Sequence, residues 1–235
     1  AELPTYTVLV PMFREISVVG QLVHALTKLN YPIEKLDIKL ILEEEDRPMH
    51  VAIQKMMLPT YFDIIIVPAG KPQTKPRALN YAMHFARGSL VTIYDSEDIP
   101  QPNQLKLAVA QFAQEDDGLA CLQASLDFYN PSQNWLTRQF TAEYAALFHV
   151  ILPTLAAYGL PIPLGGTSNH FRASALEAAG GWDAFNVTED ADLGIRLARL
   201  GFRTGILHST TYEEANSEFG NWMKQRRRWL KGFFQ

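Results

Sequence analysis

The sequence predicts an α/β fold with a mainly parallel, twisted sheet flanked by helices, and three observations predict it. Short β-branched and aromatic runs alternate with segments of helical period over residues 6–93, in the order β-α-β-α-β-α-β. Two of those runs end in clusters of carboxylates, and ligands of such sheets bind outside the carboxyl ends of the strands. At 235 residues, 47% hydrophobic and 20% charged, the chain can bury a full core as a single unit over residues 1–235.

Residues 6–10 read as the first strand, which Pro11 is expected to end. From Ser17 onward Val19, Leu22, Val23, Leu26 and Leu29 recur at helical spacing, so an amphipathic helix should run to just before Pro32. Residues 38–42 form the next strand and deliver Glu43, Glu44, Glu45 and Asp46 at its end. A helix at 48–57, a strand at 63–67 and a helix at 78–87 lead into residues 90–98. This stretch is a buried strand that ends in Asp95, Glu97 and Asp98, just before Pro100. Carboxylates so close repel one another unless something positive sits between them, and Mg²⁺ or Mn²⁺ favours oxygen ligands of this kind. A solvated acidic turn is the plainer reading of the same residues.

Leu105, Val109 and Phe112 mark a helix after Pro102, followed by a strand at 118–128 and a long helix at 135–157. From Ala145 to Asn169 the only acidic or basic side chain is His149, a length that nominates a membrane span. Pro153, Gly159, Pro161 and Pro163 interrupt it, and a crossing would put Asp95 and the later acidic cluster on opposite sides of a bilayer. A buried helix, or one resting against a membrane surface, is expected instead. The net charge of −4 and a pI near 5.9 argue against nucleic acid as a partner, with residues 224–231 as a basic local exception. A lone Cys121 excludes an internal disulfide, fits a reducing compartment and has the apolar neighbours of a core residue. No cationic leader is visible, and the abrupt ends predict a domain excised from a larger protein.

Four further segments carry candidate chemistry. Lys75-Pro76-Arg77-Ala78-Leu79-Asn80 places two cations at a helix start, where free N–H groups also favour phosphate, although ordinary surface charge would look the same. Gly165 and Gly166 permit close backbone approach to a ligand before Thr167, Ser168 and Asn169, and His170 reads first as a structural histidine. Thr188-Glu189-Asp190-Ala191-Asp192 opens a helix carrying Leu193, Leu197 and Leu200, where capping alone would account for Thr and Asp. Gln225-Arg226-Arg227-Arg228-Trp229 lies on a helix with Trp222 that suits a membrane surface, a nucleic acid or a phosphate clamp.

Taken in order, Val10-Pro11-Met12-Phe13-Arg14-Glu15, the acidic tip through Asp46, residues 75–80, Asp95-Ser96-Glu97-Asp98, Thr188-Glu189-Asp190 and Gln225-x-x-Arg228-Trp229 resemble the motifs of the family 2 inverting glycosyltransferases. The resemblance covers nearly the whole chain and is closest to the membrane-embedded polysaccharide synthases of the cellulose and hyaluronan synthase type. It implies a GT-A (Rossmann-like) nucleotide-sugar-binding fold, a nucleotide-diphosphate sugar donor, most often UDP-linked, and a glycan acceptor extended as a β-linked polysaccharide. It implies Asp95 and Glu97 as ligands of Mg²⁺ or Mn²⁺, with Asp98 as an assisting candidate, and Lys75, Gln225 and Arg228 at the phosphates. Glu45 and Asp46 would meet the nucleoside, with Pro11, Phe13 and Glu15 lining the same pocket. Asp190 would be the general base, and Glu189 and Trp229 would face the acceptor. Two departures stand out: Glu45-Asp46 precedes Arg47-Pro48 where the family commonly has Asp-Asp before glycine, and Glu97 stands where Asp is usual. The resemblance also implies membrane-spanning segments in the parent protein and a place at the cytoplasmic face of the cell membrane. The alternative reading of the same motifs is a non-catalytic nucleotide-sugar-binding or scaffold module.

Overall fold

The computed structural model describes residues 2–234; Ala1 and Gln235, the ends of the predicted unit, and the Phe233 side chain lie outside the described residues. In chain order the elements are β1 (Tyr6–Met12), α1 (Val19–Thr27), β2 (Leu36–Glu43), α2 (Arg47–Gln54), β3 (Phe62–Val67), α3 (Lys75–Met83), β4 (Leu90–Ile93) and β5 (Ile99–Pro100). Then come α4 (Gln104–Phe112), β6 (Leu119–Phe128), α5 (Trp135–Ala146), a π turn (Leu147–Ile151) and α6 (Leu152–Ala157). The chain closes with β7 (Asn169–Arg172), α7 (Ala173–Ala178), α8 (Glu189–Arg199), β8 (Arg203–Glu213) and α9 (Phe219–Phe233).

All eight strands join one sheet in the order β3-β2-β1-β4-β7-β6-β8-β5. β1 runs parallel to β2 and β4, and β2 to β3, as the alternating first half requires. β7 lies antiparallel between β4 and β6, β6 and β8 are parallel, and β5 closes the edge antiparallel to β8. Side chains alternate across the pleat, so Val8 and Val10 join Leu22, Leu26, Met49 and Leu105 on one face. Leu9 faces the other way, toward Leu79, Val91, Phe171, Trp182 and Leu193. Both faces are covered, so β1 is mainly apolar and every residue of β2 is buried, Asp37 and Lys39 included. Cys121 is fully buried, in agreement with its apolar neighbourhood.

Two expectations about proline need correction. β1 does not end before Pro11 but carries it opposite Ile41 and continues to Met12. The Leu9 carbonyl accepts from the Tyr94 N–H at 3.0 Å, just beyond the end of β4. Pro11 has the orientation of Leu9, so its missing N–H points past the end of β4, where no ladder bond is lost. Nor does Pro153 interrupt the long helix, which is continuous from Trp135 to Ala157. The π turn directly before it widens the backbone at His149, the position whose carbonyl the proline ring would otherwise strike. By length and composition this helix could cross a membrane, yet only 22% of its most apolar window is buried in the fold. The expectation of a buried helix therefore fails, and much of its surface is open.

Candidate active site

The carboxyl ends of β1, β2 and β4 look onto an open cleft of about 1070 Å³, walled on the far side by α5, α8 and α9. Pro11, Phe13 and Glu15 reach it from the end of β1, Lys75 from the start of α3, and Asp95 and Glu97 from the turn after β4. Glu189 and Asp190 enter from the first turn of α8, and Gln225, Arg228 and Trp229 from α9. Glu45 and Asp46 lie elsewhere. Glu45 borders a neighbouring hollow of about 750 Å³ with Lys71 and Phe185. Asp46 is buried, where its carboxylate accepts from the Arg14 N–H at 2.6 Å and caps α2 through the Met49 N–H. Glu43, the last residue of β2, is the member of that acidic tip that lines the cleft, with Arg77 3.7 Å away.

Lys75 is the central cation. Its Nζ donates to Asp95 Oδ1 at 2.6 Å and to the Gly166 carbonyl at 2.7 Å, tying the turn after β4 to the glycine loop before β7. Burial works against its charge, but Asp95, Asp190 and Glu189 outweigh that cost and hold it protonated. Asp98 does not reach the cleft. It is fully buried, and its Oδ2 accepts from the Asp95 N–H at 2.7 Å and from the Thr167 hydroxyl, so it shapes the turn that presents Asp95. Glu97 points into a crowd of acids. Loss of solvent, then the charges of Asp95, Glu15 and Glu214, push its carboxyl up to about 7.

Asp190 is nearly buried at the other side of Lys75, with Oδ1 lacking a partner among the described residues. Burial raises its proton affinity well above the carboxylate range; Lys75 opposes the shift, while Glu189 and Asp95 add to it. Thr188 makes no side-chain cap to α8, so capping does not account for the Thr-Glu-Asp sequence. The glycine loop beside Asp190 is bracketed by buried Gln123, whose amide accepts from the Gly165 N–H at 2.8 Å and donates to the Thr167 carbonyl at 3.1 Å. His170 is structural: Nδ1 meets the Tyr6 hydroxyl at 2.7 Å and Nε2 faces Gln104, and burial lowers its pKa to about 3.

The basic helix divides its arginines between two tasks. Arg226 pairs its two terminal guanidinium nitrogens, Nη1 and Nη2, with Glu143 and lies over Phe140, Trp222 and Trp229, which docks α9 on α5. Arg228 instead stays exposed at the cleft. Farther along, Gly232 presses against Thr188 so closely that a Cβ there would lie 2.4 Å from the threonine Cγ2. Glu213, at the end of β8, also lines the cleft; its proton affinity is raised by burial and then by Asp98, Glu97 and Asp95. No sequence signal marks Glu213, because β8, which delivers it, is half exposed and mixes polar with apolar residues.

Among the described residues no group of three or more His, Cys, Asp or Glu side chains stands ready to hold a metal ion. Asp95 and Glu97 nonetheless fit a divalent cation by chemistry. They are oxygen donors in a pocket with more acids than bases, and the raised Glu97 registers the crowding that such a cation relieves.

The family described as Glycosyltransferase like family 2 matches residues 4–232. A probable glycosyltransferase YdaM of Bacillus subtilis is 25% identical over 98% of this chain and 56% of its own length. The β-monoglucosyldiacylglycerol synthase of Synechocystis is 28% identical over 99% of this chain and 48% of its own. Cellulose synthase 1 of Komagataeibacter xylinus is 27% identical over the whole chain but only 15% of the synthase. The chain thus spans about half the length of the first two relatives. Among solved structures, the mannosyltransferase PcManGT of Pyrobaculum calidifontis, in complex with GDP-Man and Mn²⁺, superposes with a TM-score of 0.73 at 18% identity, over 100% of this chain and 66% of that one. S. aureus TarS with UDP-GlcNAc gives 0.62 at 16%, over 91% and 59%. The fold is that of the GT-A glycosyltransferases.

Proposed function

The chain belongs to glycosyltransferase family 2, and from that premise we propose that it moves a sugar, with inversion, from a UDP-linked donor to a glycan acceptor, extending a β-linked polysaccharide. The observation that carries this reading is the convergence of Lys75, Asp95, Glu97, Asp190, Arg228 and Trp229, from four separate segments, on one cleft. Asp190 takes the proton from the acceptor hydroxyl as its oxygen attacks the anomeric carbon and the bond to the diphosphate breaks. A carboxylate with raised proton affinity suits that role, and the cations of the loaded site keep it ionised until the hydroxyl arrives. Lys75 and Arg228 donate to the diphosphate as its charge grows. Mg²⁺ or Mn²⁺, held by Asp95 and Glu97, would neutralise the same charge. Trp229 offers an aromatic face to the acceptor sugar, and Glu189 a carboxylate to its hydroxyls. Pro11, Phe13 and Glu15 flank the nucleoside; Glu43 takes the place expected of Glu45 and Asp46 as the contact with the base, because those two lie outside the cleft. The parent protein places this domain at the cytoplasmic face of a membrane, beside its own spanning segments.

Calorimetric titration with UDP tests the reading. Binding should require Mg²⁺ or Mn²⁺ and weaken about 100-fold in Asp95→Ala, because that change removes a ligand of the metal. Equal affinity in excess EDTA would remove the metal from the proposal, and tighter binding of GDP would change the donor.

A further inference from the structure

Gln123 sits in the middle of β6 between Leu122 and Ala124, fully buried, at a position where an apolar side chain would carry no desolvation cost. Its polar end is in full use. Oε1 accepts from the Gly165 N–H at 2.8 Å, and Nε2 donates to the Thr167 carbonyl at 3.1 Å and to the Ala124 carbonyl at 2.9 Å. One amide thus brackets Gly166 from both sides. Beyond Gly166 the loop has other anchors: the Thr167 hydroxyl donates to the Ile93 carbonyl at 3.1 Å, and Ser168, at φ 57°, donates its N–H to the same carbonyl at 2.9 Å. Before Gly166 the Gly165 carbonyl accepts from the Asn169 amide at 2.7 Å, and the Gly165 N–H relies on Gln123. Loss of Gln123 therefore frees the loop at Gly165 and Gly166 first.

Gly166 is what the bracket presents to the cleft. Its carbonyl accepts from Lys75 Nζ at 2.7 Å, and a Cβ built on it would lie 3.8 Å from Asp190 Oδ2. Lys75 has three N–H bonds to give, and of its two acceptors Asp95 is assigned to the metal whereas the Gly166 carbonyl is not. That carbonyl therefore fixes where the remaining N–H bonds point. We infer that Gln123 is a positioning residue of the transfer site: its amide holds the Gly166 carbonyl on Lys75 and so aims the ammonium at the diphosphate of the donor. Gln123 itself does not line the cleft. This role presupposes the diphosphate contact proposed for Lys75, so one arm of the test needs no ligand.

Gln123→Met keeps the volume and removes both arms of the bracket. Gln123→Asn keeps the amide but loses its reach, and it carries the test should the methionine variant fail to fold. In the ligand-free chain, amide hydrogen exchange at residues 165–167 should quicken about tenfold in either variant, because the buried bonds that protect the loop are gone. UDP binding with Mn²⁺ should weaken about tenfold in the chain that has Lys75. In a Lys75→Met background the same change should weaken it less than about threefold, because no ammonium is left to aim. Unchanged exchange overturns the inference. Equal losses of affinity in both backgrounds also overturn it, since Gln123 would then serve the scaffold alone. An unaltered chain that binds no UDP would overturn the donor reading and this inference with it, which the first titration tells apart from failure of the bracket.

Discussion

Two clusters of charge lie at opposite ends of the parallel strands, and they differ in how well they are balanced. Near the start of β2, fully buried Asp37 accepts from the Thr7 hydroxyl at 2.8 Å, the Arg87 backbone at 3.0 Å and the Arg87 side chain at 2.8 Å. Lys39 completes it at 2.8 Å and also reaches Asp63. Burial opposes the Asp37 charge, yet Lys39, Arg87 and Thr7 prevail and hold its carboxyl below the usual range. At the other end Lys75 faces Asp95, Glu97, Glu189, Asp190 and Glu213, and an oxygen each of Asp98 and Asp190 has no partner among the described residues. A satisfied cluster stabilises the fold, and an unsatisfied one is completed by something that binds.

The largest effect should come from the unbalanced end. Asp190→Asn should slow sugar transfer by about 10³-fold or more, while UDP affinity barely moves; a variant that keeps most of its rate would exclude Asp190 as the base. At the balanced end Asp37→Asn should cost about 3 kcal/mol in urea unfolding with no change in UDP affinity, because it takes the charge away from buried Lys39, although the Arg87 side chain stays largely in solvent. The sign of the pH dependence is fixed by the lowered folded value. Asp37 stabilises fully above its ordinary value of 3.8 and loses that contribution as pH falls through the folded value, so the variant should lack this part of the acid transition. A smaller effect of opposite sense should attend Glu97. Its raised value means that stability is lost as pH climbs from 4.5 toward about 7. Glu97→Gln should therefore raise stability at pH 8 by about 0.5 to 1 kcal/mol, allowing for solvent screening, and leave it unchanged at pH 4. A variant destabilised at pH 8 would mean that Glu97 is paired rather than crowded.

The first half of the fold could be read from sequence because β1, β2 and β4 are buried on both faces and rich in apolar and β-branched residues, with Asp37 and Lys39 the charged exceptions in β2. β7 and β8 could not be read so. β7 is Asn-His-Phe-Arg, and the Asn169 amide nitrogen, the His170 ring and the Arg172 guanidinium find their partners in Gly165, Tyr6, Gln104 and distant carbonyls. β8 is half exposed and mixes Thr, Ser and His into its length, so no period marks it. The same divide governs the cleft. Asp95 and Asp190 were legible because each opens or closes a recognisable element. Four successive acids at residues 43–46, by contrast, cannot be sorted until the chain turns, sending Glu43 into the cleft and Asp46 beneath α2.

The contact of Gly232 with Thr188 gives α9 a fixed gauge length. Arg226 pins the helix to α5 at one point, and Gly232 is the position that meets the start of α8 six residues later. Adding or deleting one residue between them would rotate the far end by about 100° and bring a side chain where only hydrogen fits. The segment from Arg226 to Gly232 should therefore tolerate substitution on its outer side but no change of length, in any variant that still holds Glu189 and Asp190 at the cleft.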